Sequence, residues 1–264
     1  MIPPDLVAAV RALLARPRVL VGLDFDGVLA PIVEHRDQAR PVPGSIADVR
    51  RLATLPGVEV ALVSGRAMAS LRAVSGVGED EPISVVGSHG AETAVRSGLG
   101  GLPPPQNMTS KTQELLDRVI ARIGEIAAAG GLASGLDVEV KPAGAVLHTR
   151  RAAADVAKWA TDQVLSGPAS WDGVHVTRGK SVVEFAVTTT SKGVALQELR
   201  AVTAVDAVFY AGDDVTDETA FAALQPGDVG VKVGAGQTHA AYRLDGPQDV
   251  HELLQLLVAE RSQR

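Results

Sequence analysis

The chain of 264 residues sets 25 Lys and Arg against 31 Asp and Glu, a formal net charge of −6, and 46% of it is hydrophobic. That length suits one large domain or two modest ones, and the acidic balance excludes a general attraction to nucleic acid or to an anionic membrane, so an anionic substrate must be held by local cations. With no cysteine, disulfides, thiol catalysis and thiolate metal sites are excluded together, and any metal is bound through oxygen or imidazole.

The N-terminal stretch LVAAVRALLARPRVLVGL is interrupted by arginines at helical spacing. It reaches neither the roughly 18 apolar residues of a membrane span nor a signal-peptide core, and the reading is a soluble, cytoplasmic protein. The runs VLVGL (19–23), VEVALV (58–63), ISVVG (83–87), AVFYAG (207–212) and VGVKV (229–233) are apolar on both faces, as strands covered by helices on both sides must be. Helical patterns lie between or after them at 45–55, 67–76, 192–202, 217–224 and 247–260. This alternation predicts βαβ units and an open, mostly parallel, Rossmann-like α/β sheet.

From about residue 105 to 189 the pattern changes. A Gly/Pro-rich stretch, GLGGLPPPQNMTS, precedes helix (111–129), two alternating strands, helix (152–165) and two more alternating strands. LDVEVK, AVLHTR, VHVTR and SVVEFAV alternate polar with apolar residues, which predicts an antiparallel sheet with one solvated face. The predicted organisation is a core of residues 1–105 and 190–264 carrying an inserted α/β cap of residues 106–189, with linkers near 103–108 and 188–191.

In an open parallel sheet, ligands bind beyond the carboxyl ends of the strands. There the first strand is followed by Asp24 and Asp26, the second by Ser64-Gly65-Arg66, the third by GSHGAE (87–92) and a later one by GDDVTDE (212–218). Asp24, Asp26, Asp213, Asp214 and Asp217 would repel one another in a crevice unless a cation lay between them, and a hard divalent ion, most simply Mg²⁺, resolves this. The plain alternative for GDDVTDE is a helix cap with an acidic first turn, which describes Glu218 and in part Asp217 but not Asp213 and Asp214 together. Beside a metal, Asp24 suits a nucleophile toward phosphorus, and Asp26 suits an acid/base that protonates the leaving alcohol and then activates water. Gly27 lets the chain turn so that amides face the phosphate. Ser64 is a hydroxyl donor to the transferring group and Lys192 an ammonium beside phosphate and Asp24. Each of these two has a plain alternative as well, a turn serine and a solvated lysine at a helix start.

DFDGV after the first strand, Ser64 after the second, Lys192 at a helix start and GDDVTDE after a later strand together resemble the haloacid dehalogenase superfamily. Within it, LDFDGVLAPI, SGR, GSHGAE, KSVVEFAV, SKGVAL and GDDVTDETAF are similar to the trehalose-6-phosphate phosphatases. The resemblance implies Mg²⁺ held by the Asp24 carboxylate, the Asp26 main-chain carbonyl and Asp213, with Asp217 nearby. It implies a small-molecule sugar phosphate as substrate, read by a lid whose candidates are Lys141, His148, Arg150, Arg178, Lys180 and Glu184. Arg66, His89, Gly90 and Asp214 are candidates on the core side. Strand alternation puts His148 and Arg150 on one face, and an ordinary solvated sheet face is the alternative for all of them. Val28 stands where many relatives carry Thr, so one hydroxyl near the phosphate is absent. Two alternatives stay open: a phosphatase for another sugar phosphate, of the sucrose 6-phosphate or mannosylglycerate phosphate type, and a catalytically silent sugar-phosphate-binding regulator. A dinucleotide site fails for want of a GxGxxG loop after the first strand. The oligomeric state is not legible.

Overall fold

The computed structural model describes residues 2–96, 109–131, 134–141, 143–179, 181–188 and 190–264. In chain order the elements are α1 (Pro4–Leu14), β1 (Val19–Leu23), α2 (Ser45–Thr54), β2 (Val58–Val63), α3 (Met68–Ser75), β3 (Ser84–Gly87), β4 (Glu92–Ala94), α4 (Ser110–Ala129), β5 (Asp137–Lys141), β6 (Gly144–His148), α5 (Ala154–Ser166), β7 (His175–Gly179), β8 (Val182–Ala186), α6 (Lys192–Thr203), β9 (Ala207–Gly212), α7 (Glu218–Ala222), β10 (Val229–Val233), β11 (Tyr242–Leu244) and α8 (Pro247–Ser262). The chain divides into two compact units, Met1–Pro103 with Thr190–Arg264, and Pro104–Thr189. Among the described residues no helix is long and apolar enough to cross a membrane.

The first unit is built on a seven-stranded sheet in the order β11-β10-β9-β1-β2-β3-β4. All pairs are parallel except β3 with β4. Every residue of β1, β2, β9 and β10 is buried, because helices cover both faces. On one face β1 and β2 meet α1, α2 and α8 through Leu6, Val10, Val49, Leu52, Leu253 and Leu257. On the other, α6 and α7 supply Ala195, Leu196, Leu199, Ala220 and Phe221. Each valine, leucine or phenylalanine among them taken from water contributes roughly 1.5–3 kcal/mol. Leu23 lies opposite both Leu62 and Ala211, so β1, β2 and β9 deliver their following residues to one edge.

Three elements of this unit escape the sequence pattern. Helix α1 was legible only as an apolar stretch broken by arginines, and β4 and β11 are three residues each, too short for a period to register. Strand β4 turns back antiparallel at the edge of the sheet, which is otherwise parallel, as the mostly parallel expectation allows.

The second unit is a four-stranded antiparallel sheet, β5-β6-β8-β7, with α4 and α5 packed on one face. Leu116, Val119, Ile123 and Ile126 recur at helical spacing along α4 and bury against Ala145, Leu147, Val183 and Phe185. Thr109 caps α4 by accepting from the Thr112 amide at 3.2 Å, satisfying an amide that the first turn leaves unpaired. The linker residues 103–108 lie outside the described residues.

Candidate active site

Asp24 is the first residue after β1 and is 4% exposed. Its Oδ1 accepts from the Phe25 amide at 2.7 Å and its Oδ2 from the Lys192 ammonium at 2.8 Å. Lys192 opens α6, whose N-cap Ser191 accepts from the Val194 amide, so a helix end aims a buried ammonium across the sheet edge. The same ammonium reaches Asp217 Oδ1 at 2.8 Å. Asp217 has no exposure and four donors: Lys192 and the Tyr210 hydroxyl at 2.6 Å on Oδ1, and the amides of Asp213 and Asp214 at 3.0 and 2.9 Å on Oδ2.

Carboxylate oxygens of Asp24, Asp213 and Asp217 all lie within 4.8 Å of one another, a separation at which like charges in a dry site repel strongly. Burial pushes the Asp24 carboxyl up to about 7, Lys192 pulling it down and Asp217 and Asp213 adding to the rise. Asp213 is pushed up to about 6, by burial first and Asp217 next, with Lys192 opposing. For Lys192, burial disfavours the charge, but the Asp24 and Asp217 carboxylates outweigh it and hold the ammonium above the ordinary lysine value. Burial and the neighbouring Asp217 push the Tyr210 hydroxyl well up, so it stays a donor.

This donor set fits a hard divalent cation. Among the described residues the Asp213 carboxylate accepts no hydrogen bond, and a Cβ built on Gly27 would sit 2.0 Å from Asp213 Oδ2, so the turn residue is what leaves that carboxylate its place. Gly27 has φ +75°, as expected of a sharp turn, and its own amide donates to Ala30 O at 2.8 Å within that turn. Asp217 stands in the same cluster, and its two oxygens also take four protein donors, through which it orders Lys192 and two amides.

Asp26 is gripped by Arg66, whose Nε meets Oδ2 at 2.6 Å and Nη2 meets Oδ1 at 2.7 Å. The Arg66 side chain is 2% exposed and its guanidinium carbon lies 5.7 Å from the Phe25 ring centroid. Arg66, a candidate on the substrate side, holds the acid/base candidate with two of its donors. Ser64 follows β2, is buried, and its Oγ accepts from the Arg66 amide at 3.3 Å. Ser88 and His89 both take left-handed backbone, φ 47° and 56°, which is strained for non-glycine residues. The His89 ring lies over Gly65, where a Cβ would come within 2.3 Å of it. At Gly90 a Cβ would meet Thr190 Oγ1 at 2.6 Å and Ser191 O at 3.0 Å, so this glycine lets its loop close on the start of α6. Asp214 is exposed and caps the following turn by accepting from the Val215 amide at 2.7 Å. The helix-cap reading thus holds for Asp214, contrary to the expectation.

In the second unit, register decides which lid candidates share a face. Glu139, Val146, Glu184 and Thr177 are cross-strand partners, and Lys141 and His148 fall on that same face by alternation. Lys141 Nζ donates to Glu184 Oε1 at 2.6 Å, and His148 Nε2 lies 3.0 Å from Glu139 Oε2. Arg178 pairs with Val183, on the helix-packed face, away from Glu184. Arg150 lies in a turn beyond the end of β6, so strand alternation does not put it beside His148. Lys180 is outside the described residues.

Sequence reasoning passed over Tyr210 and Lys232. Lys232 is buried in β10 and its ammonium donates to the Asp213 carbonyl. The signal for both was present, a polar group inside an all-apolar strand, where burial requires a partner.

The trehalose-phosphatase family model matches residues 22–248. A bifunctional trehalose-6-phosphate synthase/phosphatase of Thermoproteus tenax is 32% identical over 92% of this chain and 32% of its own length. A trehalose-phosphate phosphatase of Mycobacterium marinum is 32% identical over 93% of this chain and 63% of its own. The chain thus spans less than two thirds of the length of these relatives. The C-terminal domain of Candida albicans trehalose-6-phosphate phosphatase shares the fold, with TM-score 0.73, 22% identity and 97% coverage of both chains. With the matched residues running from β1 through the start of α8, and the aspartates and lysine of the sheet edge among them, this chain belongs to the trehalose-phosphatase family.

Proposed function

We propose that this chain hydrolyses trehalose 6-phosphate to trehalose and phosphate in the cytoplasm, with residues 1–105 and 190–264 as catalytic core and 106–189 as a lid. The observation that carries the chemistry is the Asp24 carboxylate at a strand end, bridged by a buried ammonium at 2.8 Å and faced by Asp213. An Asp24 oxygen attacks phosphorus, the bond from phosphorus to the sugar oxygen breaks, and Asp26 gives its proton to the departing alkoxide. Asp26 then takes a proton from water, the resulting hydroxide attacks the aspartyl phosphate, and Asp24 is regenerated with release of phosphate. Lys192 holds Asp24 in line, and Ser64 is the hydroxyl donor assigned to the phosphoryl oxygens. Mg²⁺, held by the Asp24 and Asp213 carboxylates and the Asp26 carbonyl, would neutralise charge between the nucleophile and the substrate dianion. Arg66 orients Asp26 by donating to both of its oxygens. On the lid, Glu184, Lys141 and His148 share a polar face suited to sugar hydroxyls.

Phosphate release from trehalose 6-phosphate, sucrose 6-phosphate, glucose 6-phosphate and p-nitrophenyl phosphate, with and without Mg²⁺, tests this. Trehalose 6-phosphate should be the preferred substrate, and Asp24→Asn should lose activity by about 10³-fold or more while retaining its circular dichroism spectrum. Another sugar phosphate turned over far faster would replace the substrate assignment. Hydrolysis by Asp24→Asn near the wild-type rate would remove Asp24 as nucleophile.

A further inference from the structure

We propose that Tyr210 is a positioning residue for the nucleophile, acting through Asp217 to set the Lys192 ammonium against Asp24; this rests on the phosphatase reading. Tyr210 lies on β9 opposite Gly22 of β1 and has no exposure. Its hydroxyl donates to Asp217 Oδ1 at 2.6 Å, the same oxygen that receives Lys192 at 2.8 Å, and Lys192 reaches Asp24 Oδ2 at 2.8 Å. The chain therefore runs from a neutral donor to a carboxylate, an ammonium and the attacking carboxylate without a gap.

The surrounding chain is shaped to admit it. A Cβ on Gly22 would come within 2.9 Å of Tyr210 Cδ2, and a Cβ on Gly212 within 2.3 Å of the Asp217 carboxyl carbon. The ring packs edge-on against Phe221, centroids 5.7 Å apart at 73°. Phenylalanine would make that packing equally well, so the hydroxyl serves the hydrogen bond rather than the core. Lys192 is shared between two carboxylates, and its position depends on how much of the Asp217 charge other donors already satisfy. Without the Tyr210 hydroxyl, Oδ1 of Asp217 depends on the ammonium alone among side chains and draws it away from Asp24, where the transferring phosphoryl group needs it.

The test compares the wild type, Tyr210→Phe and the packing control Phe221→Leu at saturating Mg²⁺, on both p-nitrophenyl phosphate and trehalose 6-phosphate, with Tm recorded for each. Tyr210→Phe should lower kcat about tenfold on both substrates, the lower end of what a charge-assisted hydrogen bond carries, with KM changed less than about twofold. Phe221→Leu should lower Tm by at least as much as Tyr210→Phe yet keep kcat within about twofold of wild type. A Tyr210→Phe kcat within twofold of an active wild type overturns the positioning role alone, as does a Phe221→Leu loss of kcat equal to that of Tyr210→Phe. A wild type that releases phosphate from neither substrate overturns the phosphatase reading and this proposal with it.

Discussion

Under the proposed reading Asp24 and Asp213 meet opposed requirements: each must be ionised to serve beside a cation, and burial favours the proton, Asp24 being pushed up to about 7 and Asp213 to about 6. A carboxyl raised in the folded state keeps its proton where the unfolded chain has lost it. The stability these groups contribute is therefore full below the ordinary value of 3.8 and is lost as pH rises through about 6 to 7. Mg²⁺ held by these two carboxylates would take the ionised forms, so it would compete with protons at low pH and relieve repulsion at high pH. The rise in Tm on adding Mg²⁺ to chelator-treated protein should therefore be small at pH 5 and several degrees at pH 7.5, as read by scanning fluorimetry. Pairs remote from this edge, such as Glu81, lowered by its hydrogen bonds from Arg50, cancel in the comparison. An equal rise at both pH values would show that these carboxylates do not bind the metal. At this scale the acidic pair after β1 was legible from the cost of placing charge at the end of an apolar run. That Arg66 spends its guanidinium on Asp26 was not, because the two are 40 residues apart in sequence and only folding joins them.

Helix α6 is the element that carries Lys192 to the sheet edge, and its first turn lies against α7 with no room to spare. A Cβ on Gly193 would come within 2.2 Å of Thr219 O, a backbone atom that cannot step aside as a side chain would. The Gly193 amide also donates to Thr219 Oγ1 at 3.1 Å, fixing the crossing from both directions. Gly193→Ala should push the start of α6 outward, costing about 1–3 kcal/mol of stability and lowering kcat together with the Lys192 placement; urea denaturation and steady-state kinetics on p-nitrophenyl phosphate would register both. Unchanged stability would mean that α6 shifts freely, and that its end does not fix the ammonium. The strands were readable because burial on both faces leaves a continuous apolar run, whereas this crossing was not, since a glycine inside a helical pattern looks the same whether it faces solvent or a neighbouring carbonyl.

For the whole molecule, a net charge of −6 means that a phosphate dianion, if it is the substrate as proposed, is drawn in by local cations and not by a general field. Under the proposed reading, the catalytic unit handles the phosphoryl group and the second unit the sugar, so the two functions should separate by mutation. Glu184→Gln keeps an acceptor for Lys141 but removes the charge, and it should reduce kcat/KM on trehalose 6-phosphate by about 10²-fold or more while leaving p-nitrophenyl phosphate within about twofold. A site that hydrogen-bonds sugar hydroxyls gains nothing from them once its own polar groups are mispaired, whereas a substrate without a sugar never used them. Equal losses on both substrates would place Glu184 in the general architecture of its unit.

Sequence by itself determined the layered α/β sheet, the antiparallel character of residues 137–186 and the edge at which Asp24, Ser64, Lys192 and Asp213 gather, because apolar periodicity and strand-end chemistry are local properties of the chain. Tertiary structure alone decided how the polar groups at that edge are shared out. Asp217 is surrounded by Lys192, Tyr210 and two amides, Arg66 is spent on Asp26, and Arg178 is turned to the face opposite Glu184. The physical reason is that hydrogen-bond capacity is finite: which of several nearby donors fills a given carboxylate depends on distances of a few tenths of an ångström between segments far apart in the chain, and no local pattern records them.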